Sequence, residues 1–133
     1  MSGAYLRVLV TVAFAQVTVS LALRMMPPAA LRLRVARLRS LAQLLVRHTS
    51  PQDVVRAIEA LGRRLPGLST CLVRAFVAEL LLGSPARPLR LTIGVKQTPD
   101  GLLESHAWVT DQDSVVIGAP CDGFVPIVEW STL

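Results

Sequence analysis

The hydrophobic pattern of the chain changes once, from helical spacing in residues 28–82 to strand-like alternation from residue 89 onward. After the proline pair at 27–28, leucine and valine recur every three or four residues among arginines as far as His48, which predicts an amphipathic helix. The residues expected on its apolar face are Leu31, Val35, Leu38, Leu41, Leu44 and Leu45. An arginine-rich helix is therefore expected before residue 49.

A second helix follows with clear start signals. Ser50 is a favourable N-cap, Pro51 suits the first helical position, and Asp53 lies near the positive end of the helix dipole. The apolar positions that follow at helical spacing are Val54, Ile58, Leu61 and Leu65. These residues predict a helix that ends before the "PGL" of residues 66–68.

The stretch "STCLVRAFVAELLLG" predicts a third helix, over residues 71–82. Either Ser69 or Thr70 can cap its start, and Gly83 is a suitable stop. Cys71 would then lie in the first turn of this helix.

Residues 89–95, "LRLTIGV", alternate in polarity as in a β-strand. The "TPDG" of residues 98–101 has turn chemistry, so residues 102–110 are predicted to return as the second strand of a hairpin. A turn at 111–113 leads into "SVVIG", and "GFVPIVEW" supplies a last strand. Helices followed by an antiparallel meander predict an α+β domain.

Length and composition narrow the class of protein. With 133 residues the chain has the size of one domain, and 52% apolar residues against 17% charged ones require deep burial, a membrane or a partner. An aromatic content of 5% argues against a base-stacking surface, so we expect no nucleic acid partner. Two cysteines do not form a disulfide framework, and a reducing cytoplasm is the expected location.

The amino-terminal part is basic and apolar. Residues 1–50 hold seven arginines and no acidic residue, which suits an anionic partner or simply solvated helix faces. Residues 5–23 approach the length of a bilayer span, but Arg7, Gln16 and hydroxyl residues interrupt them. No clean signal-peptide cleavage site follows them, so a buried or membrane-surface element is favoured over a span or a signal. Membrane association is kept as an alternative to a purely cytoplasmic protein.

Cys71 and His106 are the residues that could carry chemistry. Unpaired N–H groups at a helix start favour an anion, so they would stabilise a Cys71 thiolate and could also bind an oxyanion. Arg74 lies three residues on and adds positive charge. Strand alternation places His106 on the side of Trp108, away from Ala107 and Val109, so we expect an exposed or cleft-facing Trp108 beside a histidine that could act as a general base. The alternative for both residues is a structural role in the core.

Together, "CLVRAFVAELLL", "LRLTIGV", "SHAWVT" and "VVIG" resemble the lasso peptide leader peptidases. These are small members of the transglutaminase-like, papain-like cysteine hydrolase superfamily. The resemblance covers about residues 65–120 and implies a transglutaminase-like fold, with a Leu/Arg-rich helical region at residues 1–48 packed on a catalytic core at residues 49–133.

The same resemblance implies that Cys71 is the nucleophile and His106 the general acid/base. The third member of the triad is open, because Gly118 stands where relatives carry an aspartate. Asp122 is the nearest carboxylate downstream and is the expected third residue. The alternatives are Asp111, Asp113, or a backbone or polar group. The glutamate that usually follows H-A-W-V is also replaced, by Thr110.

The implied activity is removal of the leader from a lasso precursor peptide by cysteine–histidine catalysis, without a metal or another cofactor. The implied partners are the precursor, a separate leader-binding protein and an ATP-dependent cyclase. No zinc pattern or phosphate-binding glycine loop is present in the sequence. Two other readings stay open: a non-catalytic membrane-associated or interaction protein, and another acyl-transfer activity such as an amidase or transglutaminase.

Overall fold

The computed structural model describes residues 3–64 and 70–132, so Leu65 and Ser69 of the predicted helices lie outside the described residues. The described chain folds into four helices and a four-stranded antiparallel sheet, as an α+β domain does. The helices are α1 Gly3–Met25, α2 Pro28–Gln43, α3 Pro51–Arg64 and α4 Cys71–Leu82, with a 3-10 turn at Leu44–Val46. The strands are β1 Arg90–Gln97, β2 Leu103–Asp111, β3 Ser114–Ile117 and β4 Val125–Ser131.

The predicted starts of α3 and α4 are confirmed, whereas the helix predicted to run as far as His48 ends at Gln43 and is followed by the 3-10 turn. The hydroxyl of Ser50 accepts a hydrogen bond from the backbone N–H of Asp53 at 3.2 Å, and that of Thr70 accepts one from Val73 at 3.3 Å. At the end of α4, a Cβ on Gly83 would lie 2.9 Å from Oγ1 of Thr132. Glycine thus lets α4 end directly against the chain that follows β4.

Only two of the six residues predicted on the apolar face of the arginine-rich helix are buried. Leu31 and Val35 are buried, but Leu38 and Leu41 are exposed, as are the leucines at 44 and 45. The third buried position of α2 is Arg39, whose Nη2 lies 2.6 Å from Oε1 of Glu79 on α4. Burial raises the pKa of the Glu79 carboxyl, an effect that outweighs the lowering by Arg39. The side of α2 that packs on α4 therefore carries a buried ion pair beside Leu31 and Val35.

Helix α1 packs on α3 and α4 through one side only. Val8, Val12 and Gln16 are buried there, and Nε2 of Gln16 donates to the carbonyl of Ile58 at 3.2 Å. By length and composition alone α1 could cross a membrane, yet a third of its apolar segment is buried inside the fold. The helix is thus a packed element of the domain whose outer side is also apolar.

The sheet has the order β3-β2-β1-β4, so the predicted meander is wrong at its last strand. The hairpin at residues 98–101 is confirmed by a hydrogen bond from the N–H of Gly101 to the carbonyl of Thr98. After β3, however, the chain crosses the sheet and β4 pairs with β1 instead of β3. Alternation of polarity identifies strands but not their neighbours, and here the crossing segment, residues 118–124, forms part of the candidate site.

Candidate active site

Cys71 is the first residue of α4, directly after the capping residue Thr70. Its side chain is half-buried and packs against the edge of the hydrophobic core. Nε of Arg74 reaches back to the carbonyl of Thr70 at 3.5 Å, which keeps a guanidinium beside the first turn. The thiol thus lies at the helix end where N–H groups and positive charge accumulate, as predicted.

Two contacts define the direction of α4, which packs on β2. Its carboxyl end adjoins Thr132, and in its middle the ring of Phe76 lies 6.4 Å from that of Trp130. Trp130 pairs with Leu91 of β1, and just before β1 the carbonyl of Leu89 accepts a hydrogen bond from the backbone N–H of Thr132. The amino end of α4 therefore points toward the part of the sheet where Gly94 pairs with His106.

His106 lies on β2 opposite Gly94, and its ring belongs to an aromatic cluster. The centroid of its ring is 5.9 Å from that of Trp108 and 5.2 Å from that of Phe124. Phe124 belongs to the segment that crosses the sheet and in turn lies under Nζ of Lys96, 4.6 Å from the ring centroid. The crossing segment therefore covers one side of the imidazole.

Trp108 is buried, with 7% of its surface exposed, so the expected exposed or cleft-facing tryptophan is wrong. Two glycines explain its burial. A Cβ on Gly94 would lie 2.8 Å from the Trp108 ring, and a Cβ on Gly118 would lie 2.7 Å from the Cβ of Trp108. Both approaches are closer than a side chain allows, so the indole fits only because these two positions lack one.

Nε2 of His106 lies 2.5 Å from the carbonyl oxygen of Gly118. A carbonyl can only accept, so this contact requires the hydrogen on Nε2 and leaves Nδ1 of the neutral ring as the proton acceptor. Gly118 has φ +99°, and a Cβ there would also lie 2.8 Å from the carbonyl oxygen of Ala107. The position expected for the acid therefore has no room for a side chain, and its backbone carbonyl contacts the histidine instead.

The three candidate carboxylates have different surroundings. Asp122 lines an open cavity of about 370 Å³ together with His106, Lys96 and Glu104, but its carboxylate makes no hydrogen bond to the imidazole within the described chain. Asp111 accepts from Nε of Arg87 at 2.8 Å, and Asp113 lies exposed in the turn between β2 and β3. Asp122 is thus the candidate carboxylate that shares a cavity with His106.

No hydrogen bond joins Cys71 to His106 among residues 3–64 and 70–132. Helix α4 packs on the face of the sheet that carries Ala107 and Val109, whereas His106 projects from the opposite face with Trp108. Cys121, in the crossing segment, is free and half-buried. The pairing of thiol and imidazole stays a prediction of the sequence.

The neighbours of His106 include groups that sequence reasoning did not name. The aromatic cover by Phe124 and the cation of Lys96 depend on the crossing segment, for which the sequence carried no signal. The carbonyl of Gly118 was foreseen only as an unnamed backbone group. In the described part of the chain, no three histidine, cysteine or acidic side chains are grouped as a metal site would require.

Comparison with known families gives one match. A family model described as "Transglutaminase-like superfamily" matches residues 9–129, which includes both the amino-terminal helices and the sheet. No curated protein and no solved structure matches the chain.

Proposed function

Because this chain belongs to the transglutaminase-like superfamily, which includes cysteine proteases and acyltransferases, we propose that it is a cysteine protease that removes the leader from a lasso precursor peptide. The proposal combines the family membership with the resemblance of "CLVRAFVAELLL" and "SHAWVT" to the leader peptidases. In this proposal the domain is papain-like, with a helical region at residues 1–48 and a catalytic core at residues 49–133.

The observation that carries the proposal is the contact between Nε2 of His106 and the carbonyl of Gly118. In cysteine–histidine catalysis a third group orients the imidazole and holds its tautomer, so that the other ring nitrogen faces the thiol. The Gly118 carbonyl performs this orienting function from the place of the missing aspartate. Asp122, which is negative and lines the same cavity, would then stabilise the imidazolium through space.

The proposed reaction begins with transfer of the Cys71 proton to Nδ1 of His106. The thiolate attacks the carbonyl carbon of the last leader residue, and N–H groups at the start of α4 bind the oxyanion. As the C–N bond breaks, His106 returns the proton to the leaving amine, which becomes the amino terminus of the core peptide. Water then attacks the thioester while His106 takes its proton, the C–S bond breaks to release the leader acid, and His106 returns the proton to the Cys71 sulfur.

The thiol and imidazole would meet at the open edge of β2. Strand β3 pairs with β2 only from Val109 to Asp111, so in the described chain the segment of β2 around His106 is unpaired on that side. The amino end of α4 points to the same part of the sheet. Because His106 projects from the face of the sheet opposite α4, the proposal requires the imidazole to turn around the edge of β2 toward Cys71 when substrate binds there.

Leader release from a purified precursor is the decisive experiment. The precursor is incubated with its leader-binding protein and this chain, and the leader and core peptides are identified by mass. We expect cleavage with the unaltered chain and with Cys121→Ser, and a loss of at least a thousandfold with Cys71→Ala or His106→Ala, since the pair acts as one unit. Cleavage that survives Cys71→Ala would refute the mechanism.

A second assay tests the pairing without any substrate. In the Cys121→Ser background, Cys71 is the only thiol, and its alkylation by iodoacetamide is followed by mass. If His106 accepts the thiol proton, His106→Ala slows alkylation near neutral pH. An equal rate in both variants would favour the non-catalytic alternative, in which the two side chains have structural roles. Fast alkylation without leader release would instead favour another acyl-transfer activity, such as an amidase or transglutaminase.

The partners follow from the proposed reaction. A leader-binding protein would present the precursor, and an ATP-dependent cyclase would use the freed amine. Both proteins, like the precursor, are proposed for a cytoplasmic setting, where Cys71 and Cys121 stay reduced.

A further inference from the structure

The outer sides of α1 and α2 are apolar although the fold leaves them uncovered. On α1 the exposed apolar residues recur every three or four positions, so they form one stripe along the helix. These residues are Leu6, Val10, Phe14, Val17, Leu21 and Met25, and on α2 and the turn after it they are Leu33, Leu38, Leu41, Leu44 and Leu45, all between 36% and 83% exposed. We call these residues the amino-terminal face.

The two helices share one apolar groove, which five residues of the amino-terminal face line. A groove of about 410 Å³ runs between them, with Phe14 of α1 on one side and Leu38 and Leu41 of α2 on the other. Its wall is almost entirely apolar apart from Arg34 and two threonines. Single exposed leucines are ordinary on a protein surface, but a stripe and a groove of this size mark a binding surface.

The charge around this face has one sign. Arg7 and Arg24 lie on the exposed side of α1 near its two ends, and Arg34 and Arg37 project between the leucines of α2. By contrast, Arg32 is directed toward the end of β4, where its Nη2 donates to the carbonyl of Ser131 at 3.0 Å. Residues 1–50 contain no acidic side chain that could neutralise the exposed arginines.

We propose that the amino-terminal face docks on an anionic membrane surface, with α1 lying in the plane of the membrane. Apolar side chains flanked by arginines are what an interfacial helix needs, because the former enter the acyl region and the latter bind lipid phosphates. A second copy of the chain would bring arginines against arginines with no acid between them. Helix α1 cannot span the bilayer while Val8, Val12 and Gln16 are packed against the rest of the domain.

The test is partitioning of the full chain to vesicles of phosphatidylcholine with about 30% phosphatidylglycerol, against phosphatidylcholine alone. Phe14→Glu/Leu41→Glu alters side chains that are 74% and 66% exposed, so the core is unaffected. The matched control, Leu102→Glu/Leu103→Glu, alters side chains that are 67% and 75% exposed where the hairpin turn leads into β2. We expect the first pair to lower partitioning at least tenfold and the control to leave it unchanged.

The charge requirement is tested separately. Arg34→Gln/Arg37→Gln should weaken binding to anionic vesicles about 25-fold, at about fivefold for each arginine, and high salt should weaken it for the unaltered chain. Melting temperatures of all variants confirm that they fold. Equal binding to neutral and anionic vesicles would overturn the proposal. So would an equal loss of vesicle binding in the Phe14→Glu/Leu41→Glu and Leu102→Glu/Leu103→Glu variants.

Two further measurements decide how the face is used. In Phe14→Trp, fluorescence quenching by lipids brominated at different depths should be strongest at shallow positions, and strongest quenching at the bilayer centre would overturn the in-plane arrangement. A dimer that Phe14→Glu dissociates, with no vesicle binding by the unaltered chain, would assign the face to self-association and overturn the proposal. Cys71→Ala should bind vesicles normally, so membrane docking and the proposed peptidase activity can fail independently.

Discussion

Replacing Gly118 with alanine tests the explanation given for the missing acid. The backbone of Gly118 has φ +99°, and an added Cβ would lie 2.7 Å from the Cβ of Trp108 and 2.8 Å from the carbonyl oxygen of Ala107. None of these atoms is the flexible end of a side chain. The strand would have to move away from the crossing segment, and the contact of the Gly118 carbonyl with His106 would be lost.

The expected cost has two parts. An L-residue at positive φ costs about 1–2 kcal/mol, and overpacking a rigid site adds about 1–3 kcal/mol. Gly118→Ala should therefore lower the free energy of unfolding by about 2–5 kcal/mol. Gly101 provides the matched control, since it has φ +82° but nothing nearer than 3.9 Å to an added Cβ. Gly101→Ala should cost only the conformational part, about 1–2 kcal/mol.

Urea denaturation followed by far-ultraviolet circular dichroism measures both variants against the unaltered chain. The informative quantity is the difference between them, expected to be about 1–3 kcal/mol. If Gly118→Ala costs no more than Gly101→Ala, there is room for a side chain at residue 118. The absence of an acid there would then have no steric reason.

Three other substitutions test the packing that supports the site. Because burial raises the pKa of Glu79, the native carboxyl keeps its proton to higher pH than the unfolded one, so stability should fall as pH rises from about 4.5 through the native pKa. Glu79→Gln should remove this pH dependence, which urea titrations at several pH values measure. The prediction would be contradicted if the free energy of unfolding of the variant changed with pH as it does in the unaltered chain. Thr70→Ala deletes the cap of α4 and should cost about 1 kcal/mol in thermal unfolding, whereas no change would show that the cap is unimportant. Arg87→Ala breaks a partly exposed ion pair with Asp111 and should cost less than about 1 kcal/mol, so a larger loss would indicate a role beyond that pair.

Local patterns predicted most of the secondary structure, because caps, glycines and periodicity act within a few residues. The start of α4 follows from Thr70, and the hairpin follows from the turn chemistry of residues 98–101. The face of α2 could not be predicted in this way. Its buried side includes Arg39, which pairs with Glu79, a residue 40 positions further along the chain.

The same division holds at the candidate site. By itself the sequence determined that Cys71 begins a helix and that His106 lies on the Trp108 side of a strand, because both properties depend only on neighbouring residues. Only the tertiary structure decided what surrounds the imidazole. The sheet order β3-β2-β1-β4 makes residues 118–124 cross β2, which brings the Gly118 carbonyl, Asp122 and Phe124 to His106. Which strands pair depends on packing between residues far apart in the sequence, and the alternation of polar and apolar residues does not determine it.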